Sequence, residues 1–387
     1  MLDREFGTAW RELTAAREQA EVRRAAWAEV AATELVADFV RVVADQPDVD
    51  VEDALCLRLG TLLGEAARLP VDEDVQPRHI ADAVVKAAVA GGADASRVLT
   101  AVAGVLPNPY GAAAAAGIAR NAVGRRVPPG PRVSGPVLWT RDRYGSRFGV
   151  VTPIARADGS ERWYLWDLDA CGHEVCTVHS RFHPTPEAAV ADWRDGVGEI
   201  AAAGTEFVPV DDPWLLSQLM AVDPGMHDHG GESEAQFAEF FRARRLAELV
   251  KQAVARRGRP PARGVDVATA AAEFAAWLRA RGTHEASDDL DELAWELADS
   301  WCVYDLDALF TACSPHRVAL FVPFVRDYYG EDYAGELVAL LPEWTRWLAE
   351  RNATPPELAE RCVPYAHGLQ HPQLGVGEPD YYARVVE

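Results

Sequence analysis

The stretch "RWYLWDLDACGHEVCTVHSRFH", residues 162–183, decides how the middle of this chain folds. Both of its ends are short runs rich in aromatic and β-branched residues, the composition of a strand. Between them lie Asp169, Cys171, His173, Cys176 and His179, residue types that bind zinc. Zinc needs about four ligands converging tetrahedrally. If 174–182 is one regular strand, Cys176, Val178, Ser180 and Phe182 share one face, and Thr177, His179 and Arg181 share the other. Cys176 and His179 then point apart. Cys171 and His173 fall in the turn, and too few ligands remain on either side. The expectation is a β-hairpin whose segment 169–183 binds no stoichiometric zinc, with well below one metal ion per chain.

The same grammar extends toward the N-terminus. "PVLWTRD" (136–142) and "SRFGVVTPIA" (146–155) are short and β-branched, and "RADGS" (156–160) carries a turn signal. Together with 162–183 they predict a four-stranded antiparallel meander. A helix follows from Pro186, with Thr185 as its N-cap.

The flanks are helical. Residues 1–124 read as helices, with Pro77 opening one and Gly91 and Gly92 closing it. The uncharged run 98–119 is interrupted by Pro107, Asn108, Pro109 and Gly111, so it predicts two short helices rather than a membrane span. "GRRVPPGPRVSGP" marks a linker, placed at 125–136. A small α+β module at 137–204 gives way to loop and a long helix over 205–257, then to a basic linker at 258–264. From 265 to 366 the chain is helical again: Leu290, Leu293, Ala294, Leu297 and Trp301 recur at helical spacing. Ser314 before Pro315, and Thr354 three residues before Glu357, predict two further helix starts. Residues 367–387 show no periodicity. The fold class is therefore mainly α, a multi-domain helical protein with a small central α+β module (antiparallel meander plus helix).

Charge narrows the partners. The chain carries −22 overall with a pI near 4.9, which disfavours non-specific adhesion to nucleic acid or an anionic membrane. Of this, −14 comes from residues 264–387, where 22 acids face 8 bases. The exception is "FRARRLAELVKQAVARRGRPPARG" (241–264), whose Arg256, Arg257 and Arg259 gather cations with little neutralisation. The charged N-terminus lacks an apolar core for export. A cytoplasmic protein without membrane contact is the expectation.

The segment from about 288 to 362, with "CSPHRVALF" and "LPEWTRWLAER", resembles a C-terminal helical region of uncharacterised actinobacterial proteins. The resemblance implies a helical fold and no activity.

Other chemistry is sparse. There is no phosphate-binding glycine loop, no H-E-x-x-H and no G-x-S-x-G. "PGMHDHGGES" places His227 and His229 around Asp228, with Asp223 close by, as possible metal ligands. Cys313 and His316 could pair as nucleophile and base, though such partners are ordinarily distant in sequence. "DLD" at 167–169 and 305–307 offers paired carboxylates. No cofactor is expected. The leading expectation is a non-enzymatic interaction or accessory protein that binds another macromolecule, a protein first. Alternatives are a metal-dependent enzyme using His227, His229 and Asp223, and a nucleic-acid-associated factor acting through Arg256, Arg257 and Arg259.

Overall fold

A computed structural model describes residues 2–43, 47–70, 75–92, 95–121, 130–156, 159–172, 175–220, 233–255, 264–282, 289–304, 306–369 and 371. The chain divides into two compact units, the first made of Met1–Ser134, Ile154–Glu161 and Gly225–Ala253. The second is made of Gly135–Pro153, Arg162–Pro224 and Val254–Glu387.

The first unit is built from helices α1 (Leu2–Val42), α2 (Asp48–Ala66), α3 (Pro77–Ala90), α4 (Ser96–Val105), α5 (Tyr110–Asn121) and α9 (Glu234–Val254, to Ala253). The uncharged run is indeed two short helices, α4 and α5, and no described helix is long and apolar enough to cross a membrane. Pro77 stands at the start of α3 and Gly91 caps its end, as the sequence predicts. The Gln76 and His79 side chains add a reciprocal cap that the sequence did not announce.

Leu55, Leu59 and Leu63 of α2 are buried with Ile80, Val84, Leu99 and Phe39, and α9 adds Phe237, Phe240 and Phe241 to this core. Close approach of α2 and α9 depends on Gly60: a Cβ there would lie 2.6 Å from the Cα and N of Ala238. Gly60→Ala is therefore expected to cost about 1–3 kcal/mol despite the better helix propensity of Ala. Urea unfolding checks this, and an unchanged midpoint would mean that the two helices part without cost.

The cations of α9 are largely neutralised at home. Buried Arg242 pairs with Asp53 and Glu239, Arg245 with Glu248 at 3.0 Å, and Arg244 lies 3.4 Å over the Phe240 ring. Glu248 also accepts from the Asn108 backbone and side chain, each at 3.0 Å, which ties the turn between α4 and α5 to α9.

The sheet is larger than the predicted meander. Strands β2 (Leu138–Arg141), β3 (Arg147–Ala155), β4 (Glu161–Asp169) and β5 (Cys176–His183) are joined by β6 (Val208–Pro209) in the order β5-β4-β3-β2-β6. A sixth strand, β1 (Arg132–Val133), pairs with Ile154 and Ala155 at the end of β3, inside the stretch read as linker. Both added strands are two residues long, too short for any periodicity to reveal. Helix α6 (Pro186–Val197) starts where predicted: Thr185 accepts from the Ala188 N–H at 3.2 Å. Its Trp193 packs with Val151, Leu165, Ala189 and Ala202.

One expectation about β5 fails. The register slips by one residue between Asp167 and Leu168, which pairs Asp167 with His179 and Asp169 with Cys176. Residues paired across strands share a face, so this bulge puts Cys176 on the same side of the sheet as His179. The regular alternation that separates them does not survive it. His179 Nε2 lies 2.8 Å from Asp192 of α6.

After α7 (Glu199–Ala202) and α8 (Pro213–Leu219), the second unit is completed by α10 (Val267–Arg281), α11 (Leu290–Trp301), α12 (Asp307–Phe310), α13 (Pro315–Tyr328), α14 (Glu331–Arg351) and α15 (Pro356–Ala366). The predicted face of α11, from Leu290 to Trp301, is buried. It joins Phe274, Phe310, Trp344 and Trp347 in an aromatic-rich core. Ser314 caps α13 through the Arg317 N–H at 3.1 Å. Thr354 does not cap α15, whose N-cap is Pro355, one residue beyond the position that the Thr354–Glu357 spacing needs.

Candidate functional site

Strand β4 ends on Asp169, and the chain turns there because the Asp169 carboxylate accepts the Cys171 N–H at 2.6 Å. This is the short-range turn chemistry that aspartate favours. The turn faces the N-terminus of α13. The second Asp169 oxygen lies 3.1 Å from His316 Nδ1, and Cys171 Sγ lies 3.2 Å from Ser314 Oγ. Ligand atoms of Asp169, Cys171 and His316 all fall within 4.8 Å of one another. The cluster is sealed: Asp169, Cys171, Ser314 and His316 keep 4%, 8%, 5% and 9% of their surface. His316 Nε2 is buried without a hydrogen-bond partner. The His371 ring centroid lies 5.3 Å from that of His316.

Buried polar groups hold this corner in place. Arg147 on β3 donates to Asp167 through Nε at 2.8 Å and through its terminal nitrogen at 2.6 Å, a two-pronged pair made inside the protein. Asp142 accepts the Ser146 and Arg147 N–H groups at 2.8 and 3.0 Å, shaping the turn between β2 and β3. Burial pushes the Asp142 carboxyl up to about 6. Arg317, one residue past His316, donates to the Trp301 carbonyl at 2.8 Å and to the Leu309 carbonyl. Its guanidinium lies 4.4 Å from the centre of the Trp301 ring. Tyr304 donates to the Gly172 carbonyl at 2.8 Å.

The electrostatics of the cluster decide its chemistry. Burial opposes ionisation of Asp169, but His316, Arg147 and the Cys171 hydrogen bond together hold its carboxyl well below the usual carboxylate range. Burial, reinforced by the Asp169 charge, pushes the Cys171 thiol far above its ordinary value. Burial, then His316, lowers His371 to about 4, which keeps it neutral near pH 7. A buried thiol beside a carboxylate is a poor nucleophile, because only the thiolate attacks. A divalent cation would reverse that balance, since it stabilises both anions and takes a neutral imidazole as a third ligand.

The sequence sets Asp169 and Cys171 together in the hairpin stretch and His316 apart from them, beside Cys313, and nothing in it joins the two. Cys313, offered as the partner of His316, receives the Cys362 thiol at its carbonyl, 3.7 Å away, while His316 turns Nδ1 to Asp169. The two aspartates of the first "DLD" serve different partners, Arg147 and His316. Burial lowers the Arg317 guanidinium from its ordinary value. His227, His229 and Asp223 lie outside the described residues, as do Arg256, Arg257 and Arg259. Among the described residues, the Asp169–Cys171–His316 group is the cluster whose ligand atoms converge.

No protein-family model matches the chain, and no curated protein or solved structure matches it either.

Proposed function

We propose that this is a metal-binding protein whose second unit holds one zinc-type divalent cation on Asp169, Cys171 and His316. The convergence of three buried ligand atoms from segments far apart in sequence carries the reading. Thiolate and imidazole suit zinc and disfavour magnesium or calcium, which take oxygen. At zinc–ligand bonds of about 2.0–2.3 Å, tetrahedral ligand atoms stand roughly 3.5 Å apart, so the cluster needs to contract by about 1 Å. His371, whose ring lies 5.3 Å from that of His316, and water are the candidates for a fourth ligand. This reading moves the metal hypothesis from His227, His229 and Asp223 to residues that the fold assembles.

Cobalt(II) makes the test direct, because a thiolate ligand produces a near-ultraviolet charge-transfer band that carboxylates and imidazoles do not. Titration of the full chain is expected to saturate at about one ion with that band present. Cys171→Ser should abolish the band, and His316→Gln should weaken binding at least about tenfold. Far-ultraviolet circular dichroism of the metal-free variants separates loss of a ligand from loss of fold. A wild-type chain without the band, or a Cys171→Ser chain that keeps it, overturns the proposal.

A further inference from the structure

The end of α13 and the start of α14 carry a continuous row of aromatic rings that leaves the core and runs onto the surface. Phe321 is buried, and its ring lies 6.1 Å from that of Phe324. Phe324 stacks on Tyr328 at 5.9 Å and 25°. Tyr328 meets Tyr329 edge-on at 4.9 Å, and Tyr329 lies 5.5 Å from Tyr333. Tyr328 is 72% exposed. Single exposed apolar residues are common on any protein, but a connected aromatic patch is not.

Acids surround this row. The Tyr329 hydroxyl donates to Glu296 of α11 and shares a hydrogen bond of 2.9 Å with Ser300. The Tyr333 hydroxyl is pushed up first by burial and then by Glu296, Glu292, Glu336 and Asp289. Asp327, Glu331 and Asp332, all exposed, flank the tyrosines along the chain, with Arg326 as the nearby cation. Aromatic faces and carboxylates attract the same thing, a guanidinium or ammonium group.

Elsewhere this unit already uses that combination on itself. Arg281 lies 4.0 Å over the Trp277 ring while pairing with Glu350, and Arg351 lies 5.2 Å over Trp347 while pairing with Glu273. Among the described residues, no cation stacks on Tyr328, Tyr329 or Tyr333. We infer that the Tyr328–Tyr329–Tyr333 face, ringed by Glu292, Glu296 and Glu336, docks an arginine- or lysine-bearing segment of a partner protein. The charge complementarity that selects such a segment also repels phosphate, which disfavours nucleic acid at this face.

The probe is a short peptide of alternating arginine and glycine, titrated into the full chain by calorimetry. Any polycation is drawn to a chain at −22, so the variants must separate the face from the net charge. Tyr328→Ser/Tyr333→Ser keeps every charge and is expected to weaken binding about tenfold through loss of two cation–π contacts. Glu292→Gln/Glu336→Gln should weaken it several-fold and flatten its salt dependence. Glu18→Gln/Glu34→Gln on α1, with the same charge change, should leave it nearly unaltered. Undetectable binding to the wild type, equal affinity for the tyrosine variant, or tighter binding of a single-stranded oligonucleotide would each overturn the inference. Tyr333 is half-buried, so the thermal midpoint of the double variant is measured first, and single Tyr328→Ser replaces it if that midpoint falls.

Discussion

Asp167→Asn is expected to destabilise the protein by about 3–5 kcal/mol, the cost of leaving the buried Arg147 guanidinium without its counter-charge. The Arg147 and Asp167 side chains keep 10% and 2% of their surface, so water cannot replace the lost carboxylate. Gly196 of α6 leaves room for the pair: a Cβ there would sit 3.3 Å from Asp167 Oδ2. The double variant Arg147→Met/Asp167→Leu should recover most of the loss, because exchanging a whole buried ion pair for apolar groups is often neutral. Urea unfolding followed by circular dichroism reads both. A single-variant cost below about 1 kcal/mol would mean that the pair behaves as a solvated one.

Trp344→Ala should cost a comparable amount, about 3–5 kcal/mol, for a different reason. Its ring is fully buried and meets Trp347 at 4.7 Å, Phe274 at 4.9 Å, Phe310 at 5.8 Å and Trp301 at 6.4 Å. Removing it empties the centre of the helical core. Trp344 Nε1 is buried without a hydrogen-bond partner, so the indole offers packing without polar compensation. Trp344→Phe, which keeps an aromatic ring and removes that stranded N–H, is expected to cost less than half as much. Equal losses for the two substitutions would contradict this ordering.

Much of the architecture follows from local chemistry. Pro77, Thr185 and Ser314 start helices where their neighbours say they should, since capping involves only a few consecutive residues. The apolar stripe of α11 and the breaks between α4 and α5 are legible for the same reason. The features that were not legible depend on groups distant in the chain. The bulge in β5 changes the register against β4, and a regular period cannot reveal it. β1 and β6 acquire their pairing from β3 and β2, not from any propensity of two residues. The cluster at Asp169 is assembled by docking α13 onto the end of β4, so that residues 147 positions apart share a hydrogen bond. Each member of the cluster was visible as a residue type, whereas their meeting was a tertiary event.

The first unit is discontinuous along the chain: it begins with Met1–Ser134 and is completed by Gly225–Ala253. During synthesis, its early helices therefore emerge well before the α9 residues Phe237, Phe240 and Phe241 that fill their shared core. At about 5–20 residues per second, that interval is on the order of ten seconds, long compared with hydrophobic collapse. For that time the nascent helices expose surface meant for α9, an aggregation hazard while the core is incomplete. The same discontinuity means that a gene fragment ending at Ser134 encodes an incomplete core, so recombination at a single breakpoint cannot transfer this unit to another protein.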